Sequence, residues 1–244
     1  MDYCDLKKST FEGVTQDRDY LVTAGGPASG KSTILEHLMA GKDCPDKSLN
    51  HALIKRAFCD PDESCLFKMT HTYLVDKLSK ARSPQDAYEH WRNASNFLAN
   101  VFLGIALDRG CAIAHGSTMA TPPSIKALQA IKGLYHYKRT VVHVTCDEQV
   151  RKASEAKRTS REEVHCTSKD FVEKQKMFTA LLADYIKCSE KVLFCYRGEF
   201  DNFVWAAKVE NGKLEIYDQK AFAKIQEIHD AAQGSGFWKR TLSS

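Results

Sequence analysis

A glycine-rich segment near the start of the chain, TAGGPASGKST at residues 23–33, carries the residue types that bind phosphate groups. Its glycines, lysine and serine match the pattern G-x-x-x-x-G-K-[ST] without a gap. Glycine lets the backbone turn several N–H groups toward one concavity, while Lys31 would reach the β- and γ-phosphates and the Ser32 hydroxyl would bind Mg²⁺. The residues expected to bind a nucleotide are Gly25, Gly26, Pro27, Ala28, Ser29, Gly30, Lys31, Ser32 and Thr33.

The residues on either side of this segment indicate a strand before it and a helix after it. The apolar run at 20–22 is typical of the end of a buried strand, and Ile34, Leu35 and Leu38 share one helical face. A strand, a loop and a helix in this order are what the motif requires. The alternative, a flexible turn with an exposed lysine, is less consistent with the full spacing and its flanks.

Two carboxylates follow the second predicted strand, in the sequence FCDPDES at residues 58–64. A phosphoryl-transfer enzyme needs a carboxylate that accepts the proton of the attacking hydroxyl. We assign this role to Asp62, with Asp60 as a helper in the substrate site. The alternative is that Asp-Pro-Asp is only the N-terminus of a helix.

The third predicted strand ends in HGSTMATPP, at residues 115–123. Gly116 permits the close approach of a ligand, and Ser117 and Thr118 place two hydroxyls where a phosphate acceptor could be oriented. An equally acceptable interpretation is that these residues cap the helix that follows Pro122.

Arginines are concentrated in the segment CDEQVRKASEAKRTSREEVH, at residues 146–165. Charge that develops on a transferring phosphoryl group is stabilised by guanidinium groups, which bind it in a bidentate manner. Arg158 and Arg161 are expected to do so, and Arg151, seven residues before Arg158 on the same helical face, is a weaker candidate. The alternative is a solvated, charged helix.

The helical pattern before the third strand, at residues 88–110, has an apolar stripe that would face the core. Its polar positions His90, Asn93 and Asn96 are left as candidates to face a substrate. Trp91 is better explained as a core residue.

Strand-like and helix-like segments alternate along the chain, which predicts an α/β fold: a P-loop kinase-like three-layer sandwich with a mainly parallel central sheet. Ligands bind at the carboxyl ends of the strands in such sheets. Asn211-Gly212 predicts a C-terminal β-hairpin, within 200–220, that is appended to this core. The predicted strands are 19–24, 54–59, 111–115, 139–145, 191–196, 203–209 and 213–217, and helix starts are predicted at Ser83-Pro84, Thr121-Pro122, Thr145 and Thr167.

Length and composition indicate one globular domain over residues 1–244, with an N-terminal extension at 1–17. The chain is 43% hydrophobic and 27% charged, and its net charge of +4 suits an anionic small molecule as well as nucleic acid. The sequence contains no apolar run of membrane-spanning length, and because residues 1–10 lack the apolar segment of a secretory signal, none is expected. Nine cysteines without a C-x-x-C pair predict reduced thiols and a cytoplasmic protein, with His143 and Cys146 as structural residues.

Taken together, the motifs resemble the zeta-toxin family of P-loop kinases. The resemblance rests on GGPASGKST, DPD, HGSTMATP and the arginines 158 and 161, in that order, and covers about residues 19–165. Members of this family use ATP or another nucleoside triphosphate with Mg²⁺ to phosphorylate a hydroxyl of a nucleotide-containing small molecule. UDP-N-acetylglucosamine is the best-known acceptor, and one branch uses NAD.

The resemblance implies roles for individual residues. Lys31 and Ser32 would take the loop roles, Asp62 would be the base, and Arg158 and Arg161 would clamp the phosphates.

The resemblance also implies which residues would contact the phosphate acceptor. Thr118 would be one of them. His115 and Asn93 would contact it as well, and both stand where family members often have acidic residues.

The function expected from the sequence is therefore a Mg²⁺-ATP-dependent small-molecule kinase, a bacterial toxin or effector with an antitoxin as a protein partner. One alternative is a polynucleotide 5′-hydroxyl kinase, but the arginines lack the interleaved aromatic residues of a single-strand groove, so nucleic acid is not the expected partner. Another is a nucleotide-binding switch without catalysis. A GTPase would require an N-K-x-D motif, and the sequence contains none.

Overall fold

The computed structural model describes residues 3–42, 44–49, 54–61, 84–160, 168–199 and 202–242. Within these ranges the strands form one seven-stranded sheet. The strands are β1 (Asp19–Gly25), β2 (Ala57–Cys59), β3 (Ile113–His115), β4 (Lys138–Cys146), β5 (Lys191–Glu199), β6 (Asn202–Glu210) and β7 (Lys213–Ile216). All seven predicted strands are thus confirmed, with β2 and β3 shorter than expected.

Nine α-helices surround the sheet in the described part of the chain, and a short 3-10 turn lies at Lys47–Leu49. The helices are α1 (Tyr3–Phe11), α2 (Lys31–Met39), α3 (Pro84–Asp108), α4 (Pro122–Tyr135), α5 (Glu148–Ser160), α6 (Ser168–Ala180), α7 (Leu182–Cys188), α8 (Gln219–Gln233) and α9 (Phe237–Leu242).

The strand order is β2-β3-β1-β4-β5-β6-β7. The first five strands in this order are parallel, and β6 and β7 continue the sheet in antiparallel pairing. β1 occupies the centre because it is apolar on both faces and buried from Tyr20 to its end, as expected for an interior parallel strand. The carboxyl ends of β2, β3, β1 and β4 therefore meet at one edge.

Apolar clusters cover both faces of the sheet. On one face α2 packs through Ile34, Leu35 and Leu38. On the other face the remaining core residues come from α1, α3, α4 and α6 to α9, and Phe102 of α3 is fully buried among them. These layers confirm the predicted α/β sandwich.

Local signals predicted the turns unevenly. Asn211 and Gly212 adopt φ values of 50° and 75° between β6 and β7, which confirms the hairpin turn. The helix start at Thr121-Pro122 is also confirmed. The predicted cap at Thr145 is wrong, because Thr145 is still part of β4, where strand pairing with β5 extends to Cys146. Ser83 and Thr167 lie outside the described residues.

In the described ranges no helix combines the length and the apolar character that crossing a membrane requires.

Candidate active site

The predicted phosphate-binding loop connects β1 to α2 and turns sharply before the helix. Gly30, the residue before α2, has a φ of +93°, and a Cβ at this position would lie 2.6 Å from the Phe203 ring. A Cβ on Gly25 would lie 2.7 Å from Ser29 Oγ and 2.8 Å from the Val144 carbonyl oxygen. A side chain at either position would come closer to its neighbours than real Cβ atoms do. Both glycines of the motif are therefore required.

Lys31 lies in the first turn of α2, and its side chain folds over the loop. Lys31 Nζ donates a hydrogen bond of 2.8 Å to the Gly26 carbonyl oxygen. Ser32 and Thr33, the next residues of the helix, are half-buried. The ammonium group, the loop and the Ser32 hydroxyl are thus placed together at the positive end of a helix, which favours an anion.

The chain that leaves β3 is held against this loop by backbone hydrogen bonds. The Gly25 N–H donates to the Thr118 carbonyl oxygen at 3.1 Å. Thr23 Oγ1 donates to the Ser117 carbonyl oxygen and accepts from the Ser117 N–H, both at 3.1 Å. The Ser117 hydroxyl accepts from the Met119 N–H at 3.1 Å. Ser117 and Thr118 therefore fix the β3 exit beside the phosphate-binding loop.

His115, at the end of β3, is paired with a buried tyrosine of β1. Tyr20 Oη lies 2.5 Å from His115 Nδ1. Burial lowers the pKa of His115 from its ordinary value to about 4 and raises the pKa of Tyr20. Because the phenol stays protonated and the imidazole stays neutral, the geometry assigns the phenol as donor to Nδ1 and the imidazole proton to Nε2. His115 is thus a neutral hydrogen-bond donor at the edge of the sheet where the carboxyl ends of these strands meet.

Asp60 lies at the exit of β2 and is buried, with 5% of its surface exposed. A Cβ on Gly116 would lie 1.6 Å from Asp60 Oδ2, so glycine at this position leaves room for the carboxylate. The Asp60 carboxylate therefore covers the exit of the neighbouring strand β3. Asp62, the predicted base, lies outside the described residues.

Helix α3 reaches the same edge through residues that the sequence analysis did not single out. The Ser95 hydroxyl donates to the Pro61 carbonyl oxygen. Burial lowers the pKa of Arg92, and the neighbouring Asp60 carboxylate acts in the opposite direction. Asn93, one of the three residues of this helix predicted to face a substrate, is exposed. The structure thus places the adjacent Arg92 beside the carboxylate.

Two further side chains contact the loop from the helices that follow β4. Arg151 of α5 is 5% exposed, and its Cδ lies 3.7 Å from the position that a Cβ on Gly26 would take. Gln175 Oε1 of α6 lies 1.8 Å from the same position. Arg158 is in α5 but its side chain is outside the described residues, as is Arg161. Arg151 is therefore the described arginine that the structure places at this point of the loop.

The β5–β6 hairpin supplies another arginine, Arg197, which the sequence analysis did not single out. Arg197 Nη1 donates a hydrogen bond of 3.1 Å to the Ala28 carbonyl oxygen. Its guanidinium carbon lies 5.5 Å from the centre of the Phe203 ring, and the Phe203 and His37 rings are 5.8 Å apart. Position at the end of a predicted strand was the only signal for Arg197. The hairpin therefore supports the loop at the side opposite β3.

The side chains of this edge are also compatible with a magnesium ion. Magnesium in phosphate sites keeps several waters and takes one or two protein oxygens in addition to phosphate oxygens. The Ser32 hydroxyl in α2 and the Asp60 carboxylate are such oxygens. In the ranges that the structure describes, no group of three or more metal-binding side chains is found. The donor set thus fits a metal that arrives with a nucleotide rather than a closed protein site.

The fold of this chain is similar to that of several solved structures. No family model and no curated protein matches the sequence. The crystal structure of AvrRxo1-ORF1:-ORF2 with ATP is similar with a TM-score of 0.62 and 14% identity, over 91% of this chain and 69% of the other. The native AvrRxo1-ORF1:-ORF2 complex gives a TM-score of 0.59 and 13% identity, over 93% and 75% of the two chains.

A structure from the PezAT chromosomal toxin–antitoxin system of Streptococcus pneumoniae is similar over nearly the whole of both chains. Its TM-score is 0.63 at 12% identity, with 96% of this chain and 94% of the other covered. Likeness at these identities is likeness of fold. Together with the strand order, it confirms the predicted fold class, a layered α/β sandwich with a mainly parallel central sheet and an antiparallel C-terminal hairpin.

Proposed function

We propose that this protein is a Mg²⁺-ATP-dependent kinase that phosphorylates a hydroxyl of a nucleotide-containing small molecule. The observation that carries the proposal is the meeting of three groups at one edge of the sheet. The loop with Lys31 follows β1, neutral His115 ends β3, and the Asp60 carboxylate follows β2. Since β3 lies between β2 and β1, a donor and an acceptor would meet across it.

The loop would bind the triphosphate through its backbone N–H groups and the N-terminus of α2. Lys31 Nζ, which now donates to the Gly26 carbonyl oxygen, would turn to the β- and γ-phosphate oxygens. Ser32 would hold Mg²⁺, which neutralises phosphate charge when it is bound. Arg197 would keep the loop in shape through its bond to Ala28.

Transfer would follow the in-line course of phosphoryl transfer. The acceptor hydroxyl gives its proton to the carboxylate of Asp62, and its oxygen attacks the γ-phosphorus. The bond between that phosphorus and the β–γ bridging oxygen breaks, and a nucleoside diphosphate leaves. Asp62 follows Asp60 by two residues, a span of at most about 7 Å, which supports a position near the same edge.

Charge on the transferring group would be stabilised by arginines. Arg158 and Arg161 are proposed as the clamp, because guanidinium groups bind phosphate oxygens in a bidentate manner. Arg151 lies on the same helical face as Arg158, two turns before it, and is already at the loop. Its position supports an approach of α5 to the phosphates.

The acceptor would lie between the exits of β2 and β3 and helix α3. His115, Ser117, Thr118 and Asn93 are proposed to orient it, with Asp60 as a helper. A neutral His115 suits a hydrogen-bond acceptor on the substrate, such as a sugar or amide oxygen. Compounds such as UDP-N-acetylglucosamine or NAD carry oxygens of this kind beside their phosphates.

The proposed biological role is that of a bacterial toxin or effector that acts in the cytoplasm, with an antitoxin as its protein partner. Two lines support this role. The sequence motifs resemble the zeta-toxin family, and the fold is shared with a structure from a toxin–antitoxin system.

The test is to incubate the protein with Mg²⁺-ATP and a panel of UDP-sugars, NAD and nucleosides, followed by mass spectrometry. A gain of one phosphate on a panel member, lost in Lys31→Ala, is expected. Labelling of an oligonucleotide 5′-hydroxyl instead would favour the polynucleotide kinase. ATP binding without transfer to any compound, including those of a metabolite extract, would favour the switch module.

A further inference from the structure

Helix α6 brings an uncharged polar side chain directly onto the phosphate-binding loop. A Cβ on Gly26 would lie 1.8 Å from Gln175 Oε1 and 3.0 Å from Gln175 Cδ. The carbonyl end of the carboxamide therefore contacts the face of the loop at Gly26. Within the part of the chain that the structure describes, this carboxamide has no hydrogen-bond partner, so its N–H groups are available to a ligand while its oxygen lies against Gly26.

Gly26 lies at the end of the loop that the Lys31 side chain reaches. The Lys31 ammonium donates to the Gly26 carbonyl oxygen at 2.8 Å. In loops of this pattern the lysine reaches the β- and γ-phosphates, while the later residues of the loop and the helix N-terminus hold the α- and β-phosphates. Gln175 therefore stands at the end of the loop where a third phosphate would lie.

The position of Gln175 is fixed by the residues that follow it on α6. Phe178 is fully buried and stacks on the His143 ring at 4.1 Å. The Thr179 hydroxyl accepts a hydrogen bond of 2.8 Å from Gln233 Nε2 of α8. Residues three and four apart share one side of a helix. These two anchors therefore fix the part of α6 from which Gln175 reaches the loop.

We infer that the Gln175 carboxamide recognises the terminal phosphate of the nucleotide and so distinguishes a triphosphate from a diphosphate; this inference rests on the proposed function. The carboxamide N–H groups donate to a γ-phosphate oxygen, which a diphosphate lacks. Arg151, whose Cδ lies on the same side of Gly26, adds positive charge there. Gln175 is thus a specificity-determining residue and takes no part in proton transfer.

The experiment measures the affinities of the β,γ-imido analogue of ATP and of ADP by calorimetry, with Mg²⁺, for the whole protein and three variants. Gln175→Glu has the same shape but repels a terminal phosphate, and we expect it to weaken analogue binding at least about tenfold while ADP binding changes less than about threefold. Gln175→Leu removes the donors without adding charge and is expected to give a smaller loss in the same direction.

Gln219→Glu makes the same chemical change at the exposed first residue of α8, and it should leave both affinities unchanged. An equal loss for the two nucleotides, or no loss for either in Gln175→Glu and Gln175→Leu, overturns the inference while the kinase proposal stands. A wild-type protein that binds neither nucleotide overturns the proposed function itself.

Discussion

The glycines of the phosphate-binding loop illustrate how single residues are constrained at this site. Gly30 needs a left-handed backbone and has an aromatic ring against its Cα, whereas Gly26 leaves room only for a side chain that arrives from α6. Gly116, on the neighbouring strand exit, leaves room for a carboxylate. With Gly25, glycine is thus required for space at four points of one edge, and for backbone conformation at Gly30.

Gly30→Ala is expected to destabilise the protein by about 2–4 kcal/mol, from left-handed strain and the clash with Phe203, and to abolish ATP binding. Gly133 offers the matched control, since it lies inside α4 with open space around its Cα. Gly133→Ala should stabilise the protein by about 0.5–1 kcal/mol, because alanine favours helix. Denaturant unfolding measures both changes, and a tolerated Gly30→Ala would contradict the loop geometry.

Asp62→Ala should reduce the rate of phosphoryl transfer by about 10²–10⁴-fold and leave the ATP dissociation constant nearly unchanged, because a base acts on the acceptor and not on the nucleotide. Lys31→Ala should weaken ATP binding by about tenfold or more in addition to slowing transfer, since the ammonium binds phosphate oxygens. Steady-state kinetics and calorimetry separate the two effects. Asp184→Ala, at an exposed position of α7, is the control. Normal turnover by Asp62→Ala would contradict the assignment of the base.

Residue types and spacing were sufficient to predict the loop, because all members of the motif lie within nine consecutive positions, 25–33. They were not sufficient for Arg197 or Gln175. These side chains contact the loop from more than 140 residues away in the sequence, and neither has a local pattern that indicates it. Contacts of this kind depend on the order of strands and helices.

At the scale of elements, the β5–β6 hairpin contributes to the site as well as to the sheet. Its Arg197 bonds to the Ala28 carbonyl oxygen, and Ala28 has a φ of 59°, a conformation that costs energy for a residue with a Cβ. The guanidinium therefore stabilises a strained point of the loop from outside.

Arg197→Lys should weaken ATP binding by about threefold to thirtyfold, because lysine keeps the charge but loses the planar fork that contacts Ala28 and the Phe203 ring. Arg109→Lys is a matched control. Its guanidinium carbon lies 5.4 Å from the centre of the Phe11 ring, away from the loop, and it should not alter ATP binding. Calorimetry checks the pair, and equal affinities for both variants would argue against support by the hairpin.

The alternation of apolar segments predicted every described strand. It did not predict where each element ends, because the ends depend on strand pairing between distant segments. Thr145 and Glu148 have the spacing of a helix cap, but pairing with β5 keeps Thr145 in β4 and delays the helix until Glu148. Strand pairing supplies hydrogen bonds to several residues at once, whereas a cap supplies one or two. The longer-range interaction prevails.

At the scale of the whole molecule, two histidines are enclosed between the sheet and the helices that cover one of its faces: His143 belongs to β4 and His229 to α8. His143 and His229 are fully buried with their rings 5.1 Å apart. Burial lowers the pKa of both, to about 4 for His229, and for His143 the nearby His229 acts in the same direction. Both rings are therefore neutral in the folded protein at pH 7.

The free energy of unfolding should decrease as the pH falls from about 6.5 toward 4, because the unfolded chain takes up protons at these histidines and the folded chain does not. His229 would contribute roughly 1–3 kcal/mol to this loss, and His143 would add to it in the same direction. Denaturant unfolding at pH 7.5, 6 and 5 measures the slope.

His143→Leu should flatten that slope, since leucine does not titrate, whereas His90→Asn at an exposed position of α3 should leave it unchanged. Identical slopes in the wild type and His143→Leu would show that this histidine does not control acid stability.

The position of β1 in the sheet bears on how the protein is made. Its two neighbours are residues 113–115 and 138–146, so that a chain emerging from the ribosome holds β1 long before either neighbour exists. Pairings between such distant segments form late in assembly. A nascent chain therefore lacks a shaped triphosphate site until residues 138–146 have been synthesised, and a product truncated before residue 138 lacks one side of the scaffold that builds it.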